Sequence, residues 1–165
     1  MTRLLIVSDT HGEVIKLEDL LRKYKGQFDI FIHLGDRLFD FFSMNETALG
    51  NAKTYLISGN MEMDIPMENY PVYNDAVFEV EQMRIFATHG HRYSVHSTLI
   101  FLKKEARKQN VKLVLYGHTH EKELFVEDDI MYFNPGALKN SDYGYIQIDG
   151  SEVVNIEQGY LAEKM

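Results

Sequence analysis

Five short polar clusters carry the chemistry this chain could do: Asp9-Thr10-His11, Gly35-Asp36, Gly59-Asn60, His89-Gly90-His91 and His118-Thr119-His120. Five of the seven histidines fall within them, beside two aspartates and one asparagine. Imidazole, carboxylate and amide oxygen are the ligands that manganese, iron, cobalt, nickel and zinc accept. Each cluster alone has a plainer reading. Asp9 could cap a helix, and Gly35-Asp36 and Gly59-Asn60 are ordinary turn dipeptides. A single histidine is more often a packed or hydrogen-bonded residue than a ligand. Taken jointly, the clusters would crowd carboxylates and imidazoles at high cost unless a cation balanced them. A divalent ion takes roughly four to six ligands. The candidates Asp9, His11, Asp36, Asn60, His89, His118 and His120 therefore suggest two ions sharing a carboxylate.

The elements that must position these groups are legible as apolar runs. Residues 4–7, 30–34, 54–57, 84–88 and 112–116 are short and rich in branched apolar side chains, as in strands buried on both faces. Each of the five is followed directly by one of the polar clusters. In α/β sheets ligands bind at the carboxyl ends of strands, so five such loops can converge on one crevice. Helical spacing marks 14–24 and 94–110, and 37–49 is a third helical candidate. Later runs at 76–81, 123–128, 130–134, 143–149 and 151–157 alternate in part, with Asp149-Gly150 as a hairpin turn. Strand–helix units followed by hairpins predict an α/β fold of two packed mixed β-sheets flanked by helices.

The bulk composition narrows the chemistry. A chain of 165 residues without repeats or a linker is expected to form one domain, 1–165. No cysteine is present, which removes disulfides, thiolate metal sites and thiol nucleophiles. The net charge of -8 argues against general attraction to nucleic acid, while bound cations could still draw in a small phosphorylated substrate. The apolar run at the start stops at Val7, too short for a membrane span. Polar residues then interrupt it before a signal-peptide core could form. The expectation is a soluble cytoplasmic protein.

In motif order, SDTHG, HLGD, SGN, THGH, YGHTH and NPGA cover nearly the whole chain. In them the sequence resembles the calcineurin-like metallophosphoesterase family, most closely its small single-domain prokaryotic-type phosphodiesterase branch. The resemblance implies the four-layer α/β/β/α sandwich of that family and a dinuclear centre. Asp9, His11 and His120 would bind the first ion, Asp36 would bridge, and Asn60, His89 and His118 would complete the second. Manganese is the expected metal, with nickel, iron, cobalt or zinc as alternatives. The implied reaction is hydrolysis of a small phosphodiester by a hydroxide bridging two ions about 3.5–4 Å apart. Asp36, Asn60 and His91 are the catalytic candidates, with His91 contacting either the phosphate or a metal-bound water, or serving structurally. His33 is read as support behind the ligands, and His96 as an exposed or rim residue.

One departure bears on mechanism. Many family members have histidine after the Gly-Asn pair, where this chain has Met61; the small phosphodiesterase branch often lacks that histidine as well. The general acid is therefore left unassigned, with Glu62 and Asp64 as anionic neighbours. Asn134-Pro135-Gly136 matches the family's late NPG turn and otherwise reads as a tight turn. Phe39, Phe41, Phe42 and Tyr70 could stack on a base, although local core is the commoner role. The competing functions are a non-catalytic protein-interaction scaffold on the same fold, as in the retromer subunit, and a nuclease. A homodimer or homotetramer is compatible with each of these.

Overall fold

The computed structural model describes residues 1–62 and 69–163, so Asp64 lies outside the described residues. A six-stranded sheet has the order β11-β10-β1-β2-β3-β4. Its members are β1 (Thr2–Val7), β2 (Ile30–His33), β3 (Lys53–Ile57), β4 (Val72–Tyr73), β10 (Asp142–Asp149) and β11 (Glu152–Tyr160). A five-stranded sheet has the order β5-β6-β7-β9-β8. It comprises β5 (Asp75–Val80), β6 (Met83–Thr88), β7 (Leu113–Leu115), β8 (Lys122–Glu127) and β9 (Ile130–Pro135). Both sheets are mixed: β1, β2, β3 and β4 run parallel, as do β6, β7 and β9, with antiparallel strands added at the edges.

Alternation along β1 shows why this stacking forms. Leu4 and Ile6 face Ile85, Leu113 and Leu115 of the other sheet in one core, with Ile30, Ile32 and Ile57 beside them. Leu5 and Val7 point the opposite way, onto Leu17, Leu20 and Leu21 of helix α1 (Val14–Lys23) and Phe41 of helix α2 (Leu38–Ser43). On the far side, Phe86, Val114 and Tyr132 pack against Leu102 and Ala106 of helix α3 (Ile100–Lys108). Helices thus cover both outer faces and a dry layer joins the two sheets, giving the four layers. The central strands are apolar on both faces because both faces are buried.

The helical expectations shorten at two places. The run 94–110 becomes helical only from Ile100, because Ser94 is left-handed and the Ile100 N–H is capped by the Thr98 hydroxyl. Segment 37–49 breaks at Met44, whose backbone is extended, before a 3-10 turn at Glu46–Ala48 that Asn45 caps. The hairpin turn falls one residue later than expected. Asp149 pairs with Glu152, leaving Gly150 and Ser151 at the tip. Strand β4 has only two residues, too few for any alternation to betray it.

Among the described residues no helix is long and apolar enough to cross a membrane.

Candidate metal centre

The five clusters sit just beyond the carboxyl ends of β1, β2, β3, β6 and β7. Backbone bonds tie their loops together: Asp9 N–H to the Gly35 carbonyl at 2.9 Å, and Gly117 N–H to the His89 carbonyl at 3.0 Å. Close approach needs glycine at two of these places. A Cβ on Gly59 would lie 2.2 Å from Asp36 Oδ1, and one on Gly117 would lie 2.1 Å from Ser8 Oγ.

Two groups of donor atoms result. Asp9, His11, Asp36 and His120 each offer an atom within 4.8 Å of the others, and Asp36, His89 and His118 do the same. Asp36 belongs to both. Individual separations include His120 Nε2–Asp9 Oδ1 at 3.2 Å, His11 Nε2–Asp36 Oδ2 at 3.7 Å and His89 Nε2–Asp36 Oδ1 at 3.4 Å. Atoms that share an ion at about 2.1 Å lie roughly 3 to 4 Å from each other. Asn60 joins the second group, with Oδ1 3.2 Å from His89 Nε2.

The hydrogen-bond pattern leaves these atoms free for a cation. His89 Nδ1 lies 2.7 Å from the Leu34 carbonyl, which can only accept. Deprotonated at Nε2, as a metal ligand is, the ring would turn that lone pair toward Asp36, Asn60 and His118 Nδ1, all within 3.4 Å; protonated there, it donates to Asp36 instead. Such a partner behind the ring fixes its tautomer. Asp9 Oδ2 accepts from Ser8 Oγ at 2.6 Å and from the His118 N–H at 3.1 Å, whereas its Oδ1 and His11 Nε2 are buried without partners. Buried orphans of this kind are costly and rare. A divalent cation in the first donor group would satisfy both, and one in the second would take the acceptor atoms of Asn60, His89 and His118 that converge beside Asp36, so the residues present fit a metal pair.

Charge responds in the same way. Burial alone would raise the Asp36 carboxyl, yet its bond to His89 and the Met61 N–H outweigh this and hold it well below the carboxylate range. Burial would lower His89, and its contact with Asp36 reverses that, so the ring holds a proton more firmly than usual. Burial and the neighbouring His89 and His96 push His118 down to about 4. Burial lowers His120 also.

Among the described residues twelve non-glycine residues have positive φ; five stand in these clusters, and Glu81 near the amino end of β1 is another. Asp9, His11, Asp36, His118 and His120 all have positive φ, between 44° and 69°. Non-glycine residues adopt this region seldom, and clusters of them mark functional sites.

His91 lies outside both donor groups, its ring 5.4 Å from that of His89 and its Nδ1 buried without a partner. His33 is fully buried, accepts the Gly35 N–H at 3.1 Å, and is held neutral by burial, which pushes it down to about 3. His96 is exposed at the rim with its ring 4.3 Å from that of His118. Phe41 is core, and Phe42 and Tyr70 pack edge-on against it; Phe39 is exposed.

Three supports reveal their contacts only in the structure. Glu62 accepts N–H groups from Asp36 (2.8 Å), Leu38 (2.9 Å) and Gly59 (2.9 Å), latching the β2 loop to the β3 loop. Burial raises its carboxyl despite these donors. Asp40, buried on α2, accepts from Thr10 Oγ1 at 2.6 Å and the Gly12 N–H at 2.8 Å, clamping the β1 loop. Asn134 donates to the Gly117 carbonyl and to Thr119 Oγ1, and accepts from the Gly136 N–H. The NPG turn signal located Asn134, and its task is to hold the loop bearing His118 and His120.

Residues 2–151 match the family model described as the calcineurin-like phosphoesterase superfamily domain. A phosphodiesterase of Methanocaldococcus jannaschii is 29% identical over 143 residues, covering 79% of this chain and 81% of that one. Among solved structures, one described as a novel archaeal phosphodiesterase superposes with a TM-score of 0.76 at 24% identity, covering 96% of this chain and 99% of the other. Vacuolar protein sorting 29 of Cryptosporidium parvum superposes with a TM-score of 0.77 at 15% identity, covering 98% of both chains. At these identities the two structures speak for the fold alone.

Proposed function

That this chain belongs to the calcineurin-like phosphoesterase superfamily is the premise from which we propose its function: hydrolysis of a small phosphodiester at a pair of divalent cations, manganese first among them. The observation that carries the proposal is the position of Asp36, whose carboxylate is common to both donor groups. Asp9, His11 and His120 would hold one cation and Asn60, His89 and His118 the other. Such ions, when bound, activate water and offset charge on phosphoryl oxygens.

The remaining work belongs to the chain. Asp9 and Asp36 supply two negative charges against four, which leaves the site positive for an anionic substrate in an otherwise acidic protein. His91, kept neutral by burial and by the adjacent His89, is placed to contact a phosphoryl oxygen from the rim. In the reaction the oxygen of water bonds to phosphorus, one P–O bond to an alcohol breaks, and the proton from water ends on the departing alkoxide. Glu62 is not assigned that proton transfer, because both its oxygens already accept backbone N–H groups.

The full donor set favours hydrolysis over a non-catalytic scaffold on the same fold, which needs no ligands. The acidic chain favours a small substrate over nucleic acid. The test is hydrolysis of bis-p-nitrophenyl phosphate with added manganese, beside p-nitrophenyl phosphate and the Asp36→Asn variant. Diester hydrolysis that exceeds monoester hydrolysis and collapses in the variant is expected. Wild-type activity no higher than the variant's would reject the proposal.

A further inference from the structure

Next to the second donor group lies a cavity of about 450 Å³, walled by residues 95–99 on one side and by Thr119 and residues 121–123 on the other. This is within the size range of small-molecule sites. Two residues join it to the metal centre. The His96 ring meets His118 at 4.3 Å, and Thr119 separates His118 from His120 in the chain. A phosphorus atom at the donor groups would therefore have one ester arm within reach of this cavity.

We propose that the cavity between residues 95–99 and 119–123 receives one ester arm of the substrate, and that this arm is a small alcohol bearing hydrogen-bond donors, hydroxyl or ammonium. This rests on the phosphodiesterase reading of the site. The lining decides the class of alcohol. Glu121 and Glu123 present carboxylates, and Glu123 is pinned by the buried Tyr116 hydroxyl, which donates to its Oε2. The one cation in the described wall, Lys122, is engaged with Asp142 at 3.0 Å. The surplus is negative and rich in acceptors, which attracts donor groups and repels a second phosphate. Among the described lining residues the one aromatic ring is His96, which is already packed edge-on against His118, and there is no phenylalanine or tyrosine to stack on a nucleobase. Ser97 adds a hydroxyl without a protein partner among the described residues. Of the aromatic side chains that could have stacked on a base, Phe41, Phe42 and Tyr70 lie elsewhere and pack on one another at α2.

The experiment compares manganese-loaded wild type with Ser97→Trp, which fills the cavity, and Glu121→Lys, which reverses charge on its wall. The probes are glycerophosphoglycerol, glycerophosphoethanolamine, bis-p-nitrophenyl phosphate and thymidine 5′-p-nitrophenyl phosphate. In both variants the kcat/KM ratio of the glycerol diesters to bis-p-nitrophenyl phosphate should fall about tenfold or more. A fall confined to one glycerol diester names the donor, hydroxyl or ammonium, that the wall recognises. An active enzyme whose ratio is unmoved in both variants, or whose preferred probe is the thymidine ester, overturns the cavity assignment alone. Wild type that hydrolyses none of the four overturns the phosphodiesterase reading beneath it. Should Ser97→Trp fail to fold, Glu121→Lys still decides.

Discussion

At the amino end of β1, Glu81 accepts from the N-terminal ammonium at 2.8 Å, Thr2 Oγ1 at 2.9 Å and the Gly150 N–H at 2.6 Å. Beside it Asp29 takes the Arg3 N–H and two guanidinium nitrogens, at 2.8, 3.0 and 2.9 Å. At the carboxyl end of the same strand, Asp9 keeps one oxygen buried without a partner, and His11 faces it 3.6 Å away. Carboxylates serve at both ends. At the base every oxygen is satisfied by this chain, so the groups stabilise the fold and need nothing further. At the other end five residues with positive φ, each costing of order 1 kcal/mol, bring donor atoms to common points, and two of those atoms, Asp9 Oδ1 and His11 Nε2, lack a hydrogen-bond partner. On the proposed reading, stability is given up there for binding, which is the usual relation between active sites and their scaffolds.

The contrast can be broken most forcefully at Asp36. Asp36→Asn should lower kcat/KM on a diester by about a thousandfold or more, and shrink the rise in melting temperature that added manganese gives wild type. The amide keeps an acceptor for the Met61 N–H but takes the carboxylate away from His89, so the metal-free variant should also melt below metal-free wild type. A variant that keeps wild-type kcat/KM and the full manganese-dependent rise would show Asp36 to be purely structural, like Asp29. Glu62→Ala comes next. It leaves three backbone donors without their acceptor, so stability should drop by about 1–3 kcal/mol and activity by roughly 10- to 100-fold through misplaced ligands. Glu62→Gln, which retains one acceptor oxygen, should recover part of both losses in denaturation and kinetic assays.

At the base the effects should be smaller and confined to stability. Asp29→Ala breaks an ion pair that is partly exposed, and is expected to cost about 1 kcal/mol or less with kinetics and metal content unchanged. The slightest effect lies with pH. Its hydrogen bond to the N-terminus, then those to Gly150 and Thr2, pull Glu81 from 4.5 down to about 2. A depressed carboxyl stabilises the fold above its unfolded value and loses that contribution as pH falls through the folded one. Melting curves of Glu81→Gln should therefore vary less than wild type between pH 4.5 and 2. A variant with the same acid-side slope would remove Glu81 from the account.

Much of this organisation can be read from residue order. The five apolar runs are strands, because branched residues buried on both faces leave an unbroken hydrophobic stretch, and the polar clusters stand where those stretches stop. His33 is legible as support, since alternation along β2 aims it away from the ligands. Less is legible where a contact depends on loops meeting from distant parts of the chain. Glu62 reads from the sequence as an anionic neighbour of the site and is a latch in the structure, a role fixed by backbone N–H directions in the β2 loop and in its own. Asp40 sits in an apolar stretch, and only its burial against Thr10 and Gly12 gives it a purpose. The start of α3 is hidden because the apolar spacing of Leu102 and Ala106 continues back through Leu99 and Val95, and the left-handed turn at Ser94 leaves no mark in that spacing.

The central claim, that the carboxyl-end loops form a paired cation site joined by Asp36, is tested most directly by counting ions. Metal-free protein should be dialysed to equilibrium against manganese and analysed for bound metal per chain, with Asp36→Asn alongside. The account predicts about two manganese ions per wild-type chain and no more than one tightly held in the variant. No stoichiometric metal in wild type, or an equal count in both proteins, would contradict it.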